Sequence, residues 1–257
     1  MSHEIDFLTN VDNTIEGSGK IGEYLDFTNG AGGVVDADAK GSLTINVRKL
    51  KITNAGLIEA TNGGDCVIES AVKNAGTLEA NGGTLTLDAA VTGSGAVDLA
   101  AGTVVIEDAG AREAVAFTGD GGTLELTRSQ TYAGRVSGFS KTGGTTLDLR
   151  DIGFVSPSEA TYSGAGGSGV LTVTDGTHTA AISLRGHYLS TTFVASSDGA
   201  GGVDIVATNK SPTSVHHFAA AMAAMPGHDE AAGALIHADA AWGGHPSMLA
   251  GPRMAAA

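Results

Sequence analysis

The first half of the chain carries short runs in which apolar and polar residues alternate. Leu85-Thr86-Leu87 and Leu124-Glu125-Leu126 are examples. Because successive side chains of a strand point to opposite sides, each run predicts a short β-strand with one apolar side. Glycine pairs such as Gly63-Gly64 and Gly82-Gly83, and a recurring Asn-Ala-Gly, stand between the runs. These residues accept positive φ at little steric cost, so they predict tight corners between strands.

The same succession of strands and corners repeats along the chain. The stretches Asn54 to Lys73 and Asn74 to Thr92 can be superimposed, with Asn-Ala-Gly returning after 20 residues. A unit of about 20 residues is too short to bury its own core, so each unit must pack on the next, which is typical of a solenoid. Helical repeats are disfavoured, because no run of helix formers precedes Asp151. The pattern therefore predicts an all-β protein in which residues 1–152 form a parallel β-solenoid, or β-helix, of about seven coils.

The pattern changes after Asp151. Two alternating stretches flank Asp175-Gly176, a strong hairpin signal, and a second pair of strands is expected at 192–195 and 203–206. An uncovered last coil would expose unpaired backbone groups. Residues 153–210 are therefore predicted to form an antiparallel β cap on the solenoid.

Residues 211–257 are predicted to form a short helical tail rich in Ala and Met. Four apolar side chains are spaced by three and four residues, which places them in one stripe on a helix: Val215, Phe218, Met222 and Met225. Two interpretations remain open. The stripe packs on the β-surface of this chain or of a second copy, or it belongs to an uncleaved carboxy-terminal export signal.

The chain is acidic, and this limits its partners. It has 14 basic and 28 acidic residues, and a formal charge of −14. Such a charge repels nucleic acid and anionic lipid, so neither is expected as a partner. No stretch is apolar enough for a membrane-spanning segment, and no Sec signal peptide is recognised. Cys66 is the only cysteine, so no intramolecular disulfide is expected, and its strand-like surroundings predict a small buried side chain.

Carboxylates offer the nearest approach to catalytic groups. Asp36 and Asp38 would share one side of a strand, and Asp148, Arg150 and Asp151 form a short charged cluster. Surface carboxylates are expected in so acidic a chain, and no nucleophile with a base, metal constellation or phosphate-binding loop accompanies them. We therefore predict no catalytic residue and no enzyme activity.

Histidines do not change this prediction. Five of the 8 histidines follow Ser211, but His216 and His217 are adjacent and cannot share one side of a helix. No metal ligands are predicted among them.

Several segments together resemble a known family. They include ITNAGLIEAT, NAGTLEANGGTLTLDAAVTGSGAVDLAAGTV and GVLTVTDGTHTAAISLRGHYLSTTFVASSDGAGG. Over about residues 13–207 the chain resembles the terminal portion of the large β-strand-repeat surface and secreted proteins of alphaproteobacteria. The resemblance implies type I secretion without a Sec signal, and an adhesin or matrix role at the cell surface or outside the cell. Many relatives are far longer, which leaves a stand-alone filament subunit open.

Calcium enters only through this resemblance. Related secreted proteins carry calcium-binding nonapeptides, of which this chain has incomplete counterparts at Asp120, Asp198 and Asp204. Asp and Gly are the ordinary residues of β-turns, so turns are the preferred interpretation. No cofactor other than calcium is considered.

The expected function is that of an extracellular structural or adhesive β-solenoid that associates with itself. The first coil, expected from about Val11, has no evident polar cap, and the apolar residues Ile5, Phe7 and Leu8 precede it. An exposed edge favours end-to-end association. The alternatives are a subunit of a homopolymeric filament or layer, and a β-helix that binds or acts on surface polysaccharide.

Overall fold

A computed structural model describes residues 5–108 and 110–209 and shows an all-β protein. Its main body is a parallel β-solenoid of about 7 turns, as the repeat predicts. The first five coils contribute strands to three faces and the last two to only two of them, and equivalent strands of successive coils pair in parallel. The predicted tail stripe, Val215, Phe218, Met222 and Met225, lies outside the described residues.

The three faces run along the solenoid axis. The first face contains five strands: β1 (Asp6–Asn10), β4 (Leu25–Asn29), β7 (Ile52–Asn54), β10 (Val72–Asn74) and β12 (Val91–Gly93). The second face contains β2 (Thr14–Glu16), β5 (Val34–Ala37), β8 (Leu57–Thr61), the first parts of β11 (Thr77–Leu87) and β13 (Ala96–Ile106), β14 (Val115–Phe117) and β16 (Arg135–Ser137). The third face contains β3 (Gly19–Gly22), β6 (Ser42–Asn46), β9 (Asp65–Ile68), the second parts of β11 and β13, β15 (Gly122–Leu126) and β17 (Thr145–Leu149). A single 3-10 turn, Ser129–Thr131, precedes β16.

The core consists of columns of inward side chains, one from each coil. On the third face one column contains Leu43, Cys66, Leu85 and Val104, in that order. Cys66 is fully buried, which confirms the sequence prediction, and burial raises the pKa of its thiol to about 12. Aliphatic side chains dominate these columns because the cross-section of a coil leaves little room for aromatic rings.

Four asparagines on the first face form a buried ladder. Asn10, Asn29, Asn54 and Asn74 occupy one register position on β1, β4, β7 and β10. Each Nδ2 amide donates to the Oδ1 atom of the next, at 3.0, 2.9 and 2.8 Å along the series. Asn74 ends the ladder by donating to the carbonyl of Ala96 at 2.9 Å. Because a primary amide both donates and accepts, the same residue can follow itself without losing a partner.

The ladder also fastens the corners. Asn29 Nδ2 donates to the carbonyl of Gly33 in its own coil and to that of Leu57 in the next coil, at 3.2 and 3.0 Å. The sequence interpretation of Asn-Ala-Gly as a positive-φ corner is wrong, because neither Asn54 nor Gly56 has positive φ. A Cβ atom on Gly56 would lie 2.2 Å from the carbonyl oxygen of Gly33. Glycine is required here by the close approach of two coils.

The glycine pairs do form the predicted corners. Gly63 and Gly82 have φ of 77° and 93°. Their partners Gly64 and Gly83 serve a different purpose, because a Cβ on Gly83 would lie 2.4 Å from the carbonyl oxygen of Gly64. Each pair therefore combines a left-handed residue with one that allows the coils to stack.

An antiparallel cap covers the last coil. It contains β18 (Ala160–Ala165), β19 (Ser168–Thr174), β20 (Thr179–Arg185), β21 (Thr191–Ser197) and β22 (Val203–Asn209). Both predicted hairpins are present, and β20 pairs with β16 while β22 pairs antiparallel with β17. Strand β18 was not anticipated, because its glycine-rich sequence is typical of a loop.

Aromatic rings fill the junction between solenoid and cap. Phe139 stacks on Phe193 at 6.3 Å between ring centroids, and Tyr162 stacks on the same ring at 5.7 Å. The hydroxyl of Tyr188 donates to the carbonyl of Phe139 at 2.8 Å. Solenoid and cap share one continuous hydrophobic core through these contacts.

Replacing Asn54 by Ala should destabilise the solenoid. The side chain of Asn54 makes four hydrogen bonds, and its removal leaves the buried Oδ1 atom of Asn74 without its donor. Unsatisfied buried groups cost about 1–3 kcal/mol each, so we expect a loss of about 2–3 kcal/mol in the free energy of unfolding measured with urea. Asn81→Ala, at an exposed position of β11, is the control and should change the value by less than about 0.5 kcal/mol. Equal losses would contradict a structural role for the ladder.

Candidate functional site

The second face carries a column of carboxylates. Five acidic residues occupy the same outward register position in the first five coils: Glu16, Asp36, Glu59, Glu79 and Asp98. Neighbouring strands of a sheet lie about 4.8 Å apart, so each carboxylate stands next to another of the same charge. We call this set the carboxylate column.

Burial and repulsion raise the pKa values along the column. For Glu59, burial raises the pKa, and the charges of Asp36 and Glu79 raise it further. For Glu79, the pKa is raised by burial and by Asp98. The pKa of Asp36 is raised by burial, although the hydroxyl of Thr61 donates to its Oδ1 and Oδ2 atoms at 2.9 and 3.0 Å and opposes the rise. The column therefore has unmet affinity for positive charge or for protons.

The charge of the second face reverses towards the cap. The register position of the column continues through Ala116 and Ser137 and ends at Arg185 on β20. Arg112, Arg135 and Arg185 line one shallow cavity of about 380 Å³, together with Ser137 and Ser183. All three arginines are exposed, and none has a carboxylate of the described residues within ion-pair distance. We call this site the arginine cavity.

A second cavity adjoins the arginine cavity where the first face ends. It has a volume of about 540 Å³ and shares Arg112 with the arginine cavity. Glu113 lies on its wall, buried, and its Oε1 atom accepts a hydrogen bond from the backbone N–H of Val91 at 2.9 Å. Glu113 thus satisfies one backbone N–H group of β12. No further strand of the first face follows β12 in the described residues.

The junction of solenoid and cap holds a second group of charges. Glu125, Asp148 and Asp204 are in register on β15, β17 and β22. Arg150 is the cation among them, at 3.8 Å from carboxylate oxygens of Glu125 and Asp148 and at 3.9 Å from Asp198. We call these residues the junction cluster. It joins the last coil to the cap through one guanidinium and four carboxylates.

Asp148 is the most strongly perturbed group of the junction cluster. Its pKa is raised to about 7, first by burial and then by the charges of Asp204, Glu125 and Asp198, whereas Arg150 opposes the rise. Its Oδ1 atom is buried and has no hydrogen-bond partner. A protonated Asp148 relieves both the repulsion and the desolvation, so the cluster can take up a proton near neutral pH.

The predicted calcium turns come together only in part. Asp198 and Asp204 lie in the junction cluster, whereas Asp120 lies in the turn at the opposite end of β15 from Glu125. Asp198 Oδ1 accepts from the backbone N–H groups of Ala200 and Gly202, at 2.7 and 2.8 Å, as in an ordinary Asx turn. Within 5–108 and 110–209, no group of three or more His, Cys, Asp or Glu residues is arranged to hold a metal ion.

The predicted charged pairs separate into different environments. Asp36 and Asp38 do influence each other, since the charge of Asp38 raises the pKa of Asp36. Asp151, in contrast, is not part of the junction cluster. Its Oδ1 atom accepts from the backbone N–H of Ser129 at 2.9 Å and from the hydroxyl of the same residue, so it holds the 3-10 turn.

Repeat alignment could have revealed the carboxylate column, but not the arginine cavity. Glu59 and Glu79 occupy equivalent places in the two superimposable stretches of the sequence. The arginines come from three segments with no common sequence pattern, Arg112 before β14, Arg135 on β16 and Arg185 in the cap.

No protein-family model matches this chain, and no curated protein shows significant similarity to it. The part of the chain that the structure describes has no helix that is both long enough and apolar enough to span a membrane.

The raised pKa values predict that the protein gains stability on acidification. A carboxyl group whose pKa is raised by folding binds protons more tightly in the folded state. The free energy of unfolding should therefore increase as the pH falls from about 7, the pKa of Asp148, towards about 4, where unfolded carboxyls also become protonated. Hydrogen bonds from His178, Thr177 and Gly153 lower the pKa of Asp175. Protonation of Asp175 therefore reduces the free energy of unfolding, but only below that pH range.

Asp148→Asn tests this account. Asn is neutral at every pH, so the variant should lose much of the increase between about pH 7 and pH 4 in urea-unfolding experiments. Asp12→Asn, at an exposed position of the first coil, is the control and should keep the wild-type slope. A variant slope equal to that of the wild type would show that Asp148 is not the group that titrates.

Proposed function

We propose that this protein is an extracellular structural or adhesive β-solenoid that associates with copies of itself and catalyses no reaction. The proposal rests on the contrast between the two ends of the solenoid. One end is closed by the cap, whereas no described residue covers the core positions of the first coil.

The exposure of Leu8 is the observation on which the proposal rests. It lies in the inward column that continues with Phe27, Ile52 and Val72. Phe27 and Ile52 are fully buried, but Leu8 is 36% exposed, because no described coil lies beneath it. Within the described residues, the hydrophobic core thus ends without a cover at the first coil.

The apolar surface extends around the first coil. Ile5, Phe7 and Val11 are 46%, 77% and 62% exposed. The first coil begins earlier than the predicted position near Val11, because β1 begins at Asp6 and pairs in parallel with β4. Within the described residues, β1 has a strand partner on one side only, and such an edge is a site for strand addition.

End-to-end contact with another copy covers this edge, either by strand addition or through residues 211–257 of the other copy. Repeated contacts of this kind would produce a filament or a layer. A role as the subunit of such an assembly is the second candidate function. The remaining alternative, a surface polysaccharide, would have two cavities on the second face available to it, of about 380 and 500 Å³. A location outside the cell, type I secretion and any binding of calcium follow from the family resemblance and are part of the proposal.

The double variant Phe7→Ser, Val11→Ser should weaken end-to-end association. Removing two exposed apolar side chains takes away much of the contact area, so we expect the Kd of association to rise at least about tenfold in sedimentation experiments. The melting temperature should stay close to that of the wild type, because both side chains are exposed. The matched control is Phe154→Ser, Val155→Ser, at positions 39% and 64% exposed far from the first coil. If both variants associate as strongly as the wild type, the first coil is not the contact surface.

The stripe Val215, Phe218, Met222 and Met225 can be tested for export. Its replacement by Ser should reduce the secreted fraction more than changes at His216 and His217, because amphipathic helices are recognised through their apolar anchors. The melting temperature of residues 1–257 is measured on the same variant. Unchanged secretion together with a lower melting temperature would assign the stripe to packing and not to export.

A further inference from the structure

The two charged sites of the second face are complementary. The carboxylate column and the arginine cavity lie on one face, in neighbouring coils, and each lacks the opposite charge that the other offers. The chain as a whole carries −14, and the arginine cavity gathers three exposed arginines without ion-pair partners among the described residues. A partner that presents regularly spaced carboxylates would match them.

We propose that the second face is an interface with a second copy of this chain, arranged antiparallel, in which the arginine cavity of each copy contacts the carboxylate column of the other. This inference rests on the proposed self-association but uses a different surface from the open first coil. The contact is isologous, because the same face serves in both copies.

The register of the coils fits such a two-fold arrangement. Arg112 belongs to the sixth coil, Arg135 to the seventh and Arg185 to the cap strand stacked on the seventh. A two-fold axis through the fifth coil, near Asp98, carries each layer to the layer equally far on its other side. The layer of Arg112 then lies opposite that of Glu79 in the fourth coil, the layer of Arg135 opposite that of Glu59 in the third, and the layer of Arg185 opposite that of Asp36 in the second. Arg185 occupies the register position of the column itself, whereas Arg135 stands two residues before that position and Arg112 precedes β14, so their long side chains must extend along the strand direction to meet the carboxylates.

The surface around the column suits arginine side chains. The neighbouring outward positions hold small or aliphatic residues: Val34, Leu57, Thr77 and Ala96. A groove of about 500 Å³ runs beside the column and is lined by three of these residues and by glycine backbone. Arginine can lay its apolar stem along such a groove and bind a carboxylate with two parallel hydrogen bonds.

Electrostatics favours a second copy over a long polyanion. The net charge of −14 repels any polyanion, and a polyanion gives nothing to the carboxylate column. A second copy satisfies both sites at once. Its own net charge also repels, but at about 0.15 M salt the Debye length is about 8 Å, so distant charges are screened more than pairs in contact. Association should therefore persist at that ionic strength and weaken at about 1 M, where the Debye length is about 3 Å.

Charge reversal provides the test. Arg135→Glu places a carboxylate opposite Glu59, and Glu59→Arg places a guanidinium opposite Arg135. We expect each variant alone to raise the Kd of the dimer at least about tenfold in sedimentation equilibrium at 0.15 M salt. An equimolar mixture of the two variants should recover wild-type association, because both contacts between unlike copies then pair opposite charges. The far-ultraviolet circular dichroism of each variant confirms that it is folded.

Two controls separate this interface from others. Glu69→Arg, on the exposed side of the third face, should leave the Kd unchanged. Phe7→Ser, Val11→Ser should weaken end-to-end contact while leaving the salt-sensitive dimer, so failure of one interface is distinguishable from failure of the other. A wild type without a salt-sensitive dimer, or two dissociated variants that do not recover on mixing, would overturn the proposal. So would loss of polygalacturonate binding in Arg135→Glu without any change in association, because the cavity would then be a polysaccharide site.

Discussion

Backbone pairing between successive coils is the constraint on which the rest of the structure depends. Each strand bonds in parallel and in register to the equivalent strand of the next coil. Within the paired strands, a residue therefore stands directly over its equivalent in the next coil, at the spacing of a β-sheet, about 4.8 Å. At Gly56 a side chain would collide with the carbonyl oxygen of Gly33, 2.2 Å from its Cβ position. The same spacing decides which residue types can be stacked.

Stacking affects amides and carboxylates in opposite ways. Asn29 accepts from Asn10 and donates to Asn54, so repetition satisfies its polar atoms. A carboxylate only accepts, and its charge repels the next one. Repetition therefore raises the pKa of Glu59, after burial has already raised it. The asparagine ladder stabilises the interior of the stack, whereas the carboxylate column leaves its outer surface in need of positive charge.

The two ends of the stack differ in chemistry as well as in position. Towards the cap, antiparallel strands and aromatic rings replace the repeating coils, and Phe193 contacts rings from both parts. At the first coil, Leu8 continues a core column that nothing in the described residues covers. Along the second face the charge changes from acidic to basic between the same two ends. A molecule with this polarity presents different surfaces at its end and along its side.

The sequence by itself determined the β-solenoid, the number of its coils and the two hairpins of the cap. These features rest on contacts between residues about one repeat apart or across a tight turn, and such contacts leave a period or a Gly-containing turn in the sequence. Even the carboxylate column is visible this way, since Glu59 and Glu79 are 20 residues apart and in register. The tail stripe lies outside the described residues and stays a prediction.

Only the tertiary structure decided the roles of residues that depend on burial or on contacts between the coils and the cap. Asn54 looked like a corner residue, and the hydrogen bonds from the coil before and to the coil after showed it to be buried in a ladder. The pKa of Asp148 is raised by its burial and then by Asp204, which β22 of the cap places opposite it. The arginine cavity likewise combines segments from two coils and the cap. The physical reason is that burial and charge are set by neighbours in space. For Asn54 the repeat places one asparagine over the next but does not say that their side chains point inward, and for Asp148 and the arginines the distance along the chain to those neighbours follows no repeat.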